Sequence, residues 1–548
     1  MEETGVDRIW LRHYQEGVPE SIDYPDKNVF RLLEEAASGN PEGTATIFFG
    51  ARISYGRLIG LVESFAGSLS RLGVKKGDRV ALILPNLPGY PVAHFAVLRL
   101  GAVLVPTNPL YVERELEHQL RSSGAETVVI LDQLYPRLAR VSKNTPVRRI
   151  VVMGVQDFLP RMLSFLYRLK NRSAPKPEGE QVYHYASLIR QRAEAPAADV
   201  TPDDTAILLY TGGTTGVSKG AVLTHRNLVT NVLQTRRWLS SLKDRQEVYL
   251  CVLPFFHSYG MTTGMHLAVQ SQSAMVLLPR FELADVMKAI RKHRPSVFCA
   301  VPSMYNAINR YPGVSSRDVG SIQICVSGGA GLPSEIQKRF EELTGGRLVE
   351  GYGLSETSPV ALVNPMHGRR KSGSIGVPIS DTDARVVDPE TKAPLAAGEV
   401  GELALRGPQV MKGYWEMPEE TAQVLREGWL YTGDMAVMDE DGFFSIVDRK
   451  KDLIISAGMN IYPREVEEVL HQHPKVVEAA VVGVPSSVRE ETVKAFIVVE
   501  PGQELSKQEV IQFCQDKLSK FKIPKKIEFV DALPKSALGK VLKRELRK

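Results

Sequence analysis

Eleven residues, Tyr210-Thr-Gly-Gly-Thr-Thr-Gly-Val-Ser-Lys-Gly220, hold four glycines, four Ser or Thr hydroxyls and one lysine. Glycines such as Gly212 and Gly213 let backbone N–H groups close on a phosphate, while Thr211, Thr214, Thr215 and Ser218 add hydroxyl donors and Lys219 a positive charge. The segment follows the strand-like run Ala206-Ile-Leu-Leu and fits phosphate binding. It is not a Walker A loop, because G-x-x-x-x-G-K-[ST] cannot be aligned on it. A plain surface turn is the other reading, and that density of glycine, hydroxyl and charge argues against it. A second concentration lies between Pro501 and Lys548, where twelve Lys or Arg face six Asp or Glu. This balance suits a multiply phosphorylated ligand, or equally a solvated helix face. A third stretch, Phe158 to Arg172, puts Phe158, Met162, Phe165, Leu166 and Leu169 on one helical face, with Arg161, Arg168, Lys170 and Arg172 as cations and no acid. Such a segment can lie in an anionic lipid interface. Its alternatives are a core helix or a contact between two copies of the chain in a homodimer.

These groups must be positioned by the elements around them. Short apolar runs alternate with helical patterns through the first two thirds: Arg79-Val-Ala-Leu-Ile-Leu, Thr127-Val-Val-Ile-Leu, Arg149-Ile-Val-Val-Met and Val248-Tyr-Leu-Cys-Val-Leu. Buried runs separated by helix-length segments predict α/β layers with parallel sheets. Leu58 to Leu72 is apolar at helical spacing, and Gly73 is its stop. Near Val386 the pattern shortens into hairpin-like pieces such as Gly401-Glu-Leu-Ala-Leu-Arg-Gly and Asp441-Gly-Phe-Phe-Ser-Ile-Val-Asp. The expected division is a large domain over 1–450, β-rich over about 386–447, and a small α+β domain over 451–548 with a boundary in the charged Asp448-Arg-Lys-Lys-Asp452. In the small domain the pattern predicts helices over 463–472 and 507–518 and strands over 479–484, 493–499 and 526–530.

The chain has 548 residues, enough for roughly three to four folding units. Hydrophobic residues make up 43% and charged residues 24%, which places it among globular proteins and not disordered ones. A net charge of +5 is too small at this size to imply general nucleic-acid binding. Cys251, Cys299, Cys325 and Cys514 are widely spaced without a C-x-x-C pair, which argues against a disulfide framework or zinc site and favours a reducing, cytoplasmic compartment. The acidic Met1-Glu-Glu-Thr start does not read as a signal peptide. The most apolar stretch, Ala93 to Pro106, is broken by Arg99 and falls short of the ~20 residues of a spanning helix.

The segment from Tyr210 to Gly220 resembles the nucleotide-phosphate motif of the adenylate-forming superfamily, which contains acyl-CoA synthetases, peptide-synthetase adenylation domains and beetle luciferases. Further motifs follow in the same order: Gly351-Tyr-Gly-Leu-Ser-Glu-Thr357, Gly428-Trp-Leu-Tyr-Thr-Gly-Asp434, Asp448 to Asp452 through Gly458 and Pro463-Arg-Glu-Val-Glu467, and Pro534-Lys-Ser-Ala-Leu-Gly-Lys540. The opening Trp10-Leu-Arg-His-Tyr14 is most similar to bacterial-type long-chain fatty acid-CoA ligases. The resemblance implies that ATP turns a fatty acid into an acyl-adenylate with release of pyrophosphate, and that coenzyme A then displaces AMP. An aryl-CoA ligase or other adenylating enzyme of the same fold, and a membrane-docked acyl-binding scaffold with a vestigial site, are the competing expectations.

The same resemblance assigns roles. Glu356 would hold Mg²⁺ against the ATP phosphates, Asp434 would accept from both ribose hydroxyls, and Arg449 would face ribose or phosphate. Tyr352, within Gly351-Tyr-Gly353, would offer a face to adenine, with Gly329 and Ala330 of Ser327-Gly-Gly-Ala-Gly331 on the other side. Lys540 would bridge carboxylate and α-phosphate during adenylation, alongside Thr211. Lys451 matches the hinge, and Gly458 the loop that lets pantetheine pass. His257, Tyr259 and Met261 in Pro254-Phe-Phe-His-Ser-Tyr-Gly260 would shape the acyl pocket, His257 without a proton-transfer role, and Gly260 and Gly264 suggest a roomy channel. Two positions depart from the family pattern. Ser218 stands where proline is frequent, and Ser355 where threonine is frequent, the latter keeping its hydroxyl.

Overall fold

The computed structural model describes residues 7–171, 177–211, 218–449, 452–456, 459–485, 491–515, 517–536 and 541–547. Two large sheets form its main body. One has seven strands in the order 182–184, 149–153, 127–131, 79–83, 103–106, 205–211 and 219–224, parallel until the last pair, which is antiparallel. The other has nine strands with a parallel centre (274–277, 248–251, 297–300, 324–327, 347–353) and antiparallel edges. The central strands Val80–Ile83, Thr127–Leu131 and Val297–Ala300 are buried throughout, which is why they read as unbroken apolar runs.

Helices close the faces of these sheets. Tyr55–Arg71 starts where the Ser54 side chain accepts from the Arg57 backbone N–H, and Gly73 follows it with φ of +90°. The amino-terminal Ile9–His13 turn buries Trp10 edge-on to Phe444, and Tyr14 packs edge-on to Trp238 and donates to the Pro378 carbonyl. Next comes an antiparallel five-stranded sheet built from 383–387, 400–406, 425–426, 429–438 and 444–449.

A separate apolar cluster begins at Ile454 and runs through Val466, Val481, Ala495 and Ile527. Its elements are helices Pro463–His471 and Lys507–Gln515 and strands Val476–Pro485, Glu491–Val499 and Lys526–Phe529. Each expected element of this region forms, with ends shifted by a few residues. Lys543 pairs with Glu467 at 2.8 Å and Arg547 with Asp452 at 2.8 Å, so the end of the chain ties back onto the start of this unit.

The Phe158 to Arg172 stretch departs from expectation in two ways. The helix is Arg161–Lys170, beginning only after Pro160, so Phe158 lies outside it and packs against Tyr185 in the core. The core-helix alternative fails: Met162, Leu163, Phe165, Leu166 and Leu169 are between 41% and 75% exposed. Arg168 stands 3.9 Å from Asp157, and Arg172 falls outside the described residues.

Candidate active site

Thr211 ends strand Thr205–Thr211 and pairs across the ladder with Lys219, the first residue of the returning strand. Ser218 Oγ donates to the Thr211 carbonyl at 2.8 Å and closes the base of this hairpin. Gly212, Gly213, Thr214 and Thr215 lie outside the described residues. The returning strand is also held from its other side: Trp415 N donates to Gly220 O at 2.7 Å and Val222 N to Gly413 O at 2.9 Å. That pairing carries Tyr414 to the site. Lys219 Nζ sits 5.3 Å from the Tyr414 ring centroid, and Tyr414 Oη donates to Glu356 Oε1 at 2.9 Å. Burial, with the Glu356 charge beside it, pushes the Tyr414 phenol far above its ordinary range, so it remains a donor. The backbone holds Glu356 as well, through Met411 N to Glu356 O at 2.8 Å.

Lys219, Glu356 and Tyr414 thus form one cluster. The first two were legible as candidates. Tyr414 was not, and the cue that could have pointed to it is an aromatic pair directly after Gly413.

A second cluster lies on strand Arg347–Gly353. Tyr352 Oη donates to Asp434 Oδ2 at 2.6 Å, and Asp434 is paired across the ladder with Arg449. Asp434 is almost fully buried, its backbone N–H donating to Thr432 Oγ1. Gly353 cannot be replaced freely, because a Cβ there would lie 1.8 Å from the Pro359 carbonyl oxygen. Gly351 is held against Val326 and Val363 on the neighbouring strands. Beyond the end of strand Ile324–Ser327, Gly329 adopts φ of +80°, and Gly329 and Ala330 are exposed.

The acyl candidates sit between these clusters. Ser355 Oγ lies 3.4 Å from Ser258 Oγ, joining the Glu356 turn to the segment that carries His257 and Tyr259. His257 Nδ1 accepts from Tyr259 N at 3.2 Å, which caps the short helix Ser258–Gly260. Tyr259 Oη donates to the Val326 carbonyl at 2.7 Å, and its ring lies against Gly328, where a Cβ would approach to 3.1 Å. Buried Met261 opens a π-helical turn, Met261–His266. The two glycines expected to make room here are themselves closely packed. A Cβ on Gly260 would lie 2.4 Å from Pro254 O, and the cavity beside Gly264, Cys251 and Cys299 measures ≈ 10 Å³, space for about one water.

Lys451, Gly458 and Lys540 fall outside the described residues, as does everything about the Arg449 side chain. Lys535 and Val541, which stand on either side of Lys540 in the sequence, pair with each other. Among the described residues no group of three or more His, Cys, Asp or Glu is arranged to hold a metal ion.

The AMP-binding enzyme profile matches residues 33–415 and the AMP-binding enzyme C-terminal domain profile matches 465–540. The chain belongs to the AMP-binding enzyme family. A long-chain-fatty-acid–CoA ligase of Bacillus subtilis strain 168 is 42% identical to this AMP-binding enzyme over 543 residues, 98% of this chain and 97% of the relative. One of the same description from Yersinia pestis is 39% identical over 99% of this chain and 98% of its own. The crystal structure of ATP-bound MatB from Rhodopseudomonas palustris has a TM-score of 0.84 at 31% identity, covering 95% of this chain and 98% of that one.

Proposed function

We propose that this AMP-binding enzyme is a long-chain fatty acid-CoA ligase. The observation that carries the reading is likeness over nearly the whole chain to relatives of that description, joined to a site in which a lysine, an acid and a phenol converge beside the phosphate hairpin. In the first step a carboxylate oxygen of the fatty acid attacks the α-phosphorus of ATP, the Pα–O–Pβ bond breaks, and pyrophosphate leaves. Lys219, Thr211 and the hairpin amides screen the phosphates and hold them in line. Tyr352 and Asp434 form one wall of the nucleoside pocket, the carboxylate taking the ribose hydroxyls. Lys540 contacts the reacting oxygens only when they are adjacent, which places its effect in the transition state. In the second step the coenzyme A sulfur, as thiolate, attacks the acyl carbonyl carbon and the C–O bond to AMP breaks.

Glu356, oriented by Tyr414, would hold Mg²⁺ here, a single hard carboxylate that suits an ion keeping several waters. When bound it neutralises phosphate charge that Lys219 alone leaves unscreened.

The 451–548 unit is the moving part of this proposal, with Lys451 as hinge and Gly458 at the thiol entrance. No helix of the described residues is long and apolar enough to cross a membrane. Helix Arg161–Lys170, with its exposed apolar side and Arg161, Arg168 and Lys170, supports peripheral contact with an anionic bilayer. Acyl-CoA formation from fatty acids of rising chain length, run beside aryl acids, tests the assignment: turnover confined to aryl acids rejects it.

A further inference from the structure

Glu350 and Tyr352 lie two apart on strand Arg347–Gly353 and therefore share a face. Tyr352 serves the nucleoside wall, while Glu350 reaches Arg464, which opens helix Pro463–His471 of the C-terminal unit, at 3.2 Å from Oε1 to Nη2. The carboxylate is only 4% exposed. Arg464 is gripped from three further directions. Its Nη1 donates to the Ile446 carbonyl at 3.1 Å, and its backbone N–H donates to Asp448 Oδ2 at 3.1 Å. Its guanidinium also fills the space that a Cβ on Gly331 would need, 2.5 Å from Cζ. Glycine at 331 is what lets the arginine in.

Among the described residues a second contact between the two units is more exposed. Arg310 pairs with Glu500 and donates to the Val476 carbonyl at 3.4 Å, with both partners of the ion pair more than a third exposed. Exposed pairs contribute little, whereas removing one partner of a buried pair strands the other charge. Burial pushes Glu350 up to about 7, opposed by Arg464 and the Leu332 amide and reinforced by Glu468, so its charge depends on the arginine being there. Arg464 follows strand Met459–Ile461, which pairs with Ile454–Ser456, by three residues, and Gly458 stands between those strands in the sequence. Seating Arg464 on Glu350 therefore fixes the amino-terminal end of helix Pro463–His471 against the nucleotide strand.

We propose that the Glu350–Arg464 pair is the positioning contact that seats the C-terminal unit on the nucleotide strand for thioester formation. Neither residue touches the reacting atoms; both act through the placement of the C-terminal unit. The inference rests on the two-step reading above and goes beyond it by naming what holds the second-step arrangement.

The test separates the half-reactions in the full-length protein. In Arg464→Ala and in the near-isosteric Glu350→Gln, transfer from supplied acyl-adenylate to coenzyme A falls at least about tenfold, the scale of a lost contact to a charged group. Pyrophosphate release from ATP and fatty acid stays within about twofold of the parent on the same scale. Arg464→Lys keeps the charge and restores part of the transfer rate. Hydrogen exchange over 463–471 rises in both neutral variants, a readout that needs no activity. Equal loss in both half-reactions, loss confined to pyrophosphate release, or unchanged exchange would overturn the proposal. A parent protein without either half-reaction contradicts the two-step reading instead, and the exchange comparison still decides whether the pair seats the unit.

Discussion

Tyr414 shows what the residue scale adds. Its hydroxyl orients Glu356 and its ring receives Lys219, although it lies 58 residues from the glutamate in the chain. Tyr414→Phe keeps the ring and removes only the hydrogen bond to a charged acceptor, so adenylation should slow by about tenfold and the Mg²⁺ concentration for half-maximal rate should rise. Initial rates over a Mg²⁺ series would check this, and an unchanged Mg²⁺ dependence would detach Tyr414 from the role. Lys540→Ala should slow adenylate formation by at least ~10²-fold, as expected for one lost transition-state contact, and leave transfer from supplied acyl-adenylate largely intact. Equal loss in both assays would remove Lys540 from that step. Lys219, Glu356 and Asp434 are legible as candidates because each stands inside a dense ordered motif, while Lys540, in another such motif, lies outside the described residues. Tyr414, Glu350 and Arg464 are not legible in this way, since strand pairing such as Ala221 with Tyr414 is what gives them partners.

At the scale of elements, buried parallel strands and the helices of the C-terminal unit were readable because their apolar runs and periodicities are strong. Helix Arg161–Lys170 was misjudged at its start, since counting a helical face across Pro160 included Phe158, which the core takes. The exposed face that remains predicts cosedimentation with anionic liposomes at low salt. Changing Arg161, Arg168, Lys170 and Arg172 to Ser should sharply reduce it, each cation contributing about 1 kcal/mol near such a surface. Undiminished binding in that variant, or a parent that dimerises through this face without binding lipid, would reject the membrane contact. The packing of helix Gly89–Arg99 on the π-helical turn Met261–His266 supplies another prediction. His94 and His266 are fully buried with their Nε2 atoms 2.8 Å apart, an arrangement of one donor and one acceptor in which the accepting ring is neutral and the two rings cannot both be charged. Burial lowers His266 to about 3, and burial together with His266 and His225 lowers His94 well below 6.5. A lowered imidazole pKa favours the fold above the unfolded value of about 6.5, and that stability is lost as pH falls below it, at about 1.4 kcal/mol per pH unit for each histidine. Denaturation midpoints of His94→Gln/His266→Gln should therefore fall less steeply between pH 6.5 and 4.5 than those of the parent. Parallel slopes would show that the pair is not protonated on unfolding.

Across the whole molecule, the division into a large α/β body and a small α+β unit follows from composition and pattern. The order of strands in the two sheets does not, because it is set by crossovers that no local run of residues encodes. That order is what brings Tyr414 to the Glu356 turn beside the phosphate hairpin and Tyr352 to Asp434. The proposed reaction makes an acyl-adenylate at this site before coenzyme A is needed. Exchange of labelled pyrophosphate into ATP, measured without coenzyme A and across a series of acids, tests it most directly. The account predicts exchange that depends on a long-chain fatty acid, with AMP and acyl-CoA appearing together once coenzyme A is added. Exchange supported only by aryl acids, or acyl-CoA formed with release of ADP and phosphate, would contradict it.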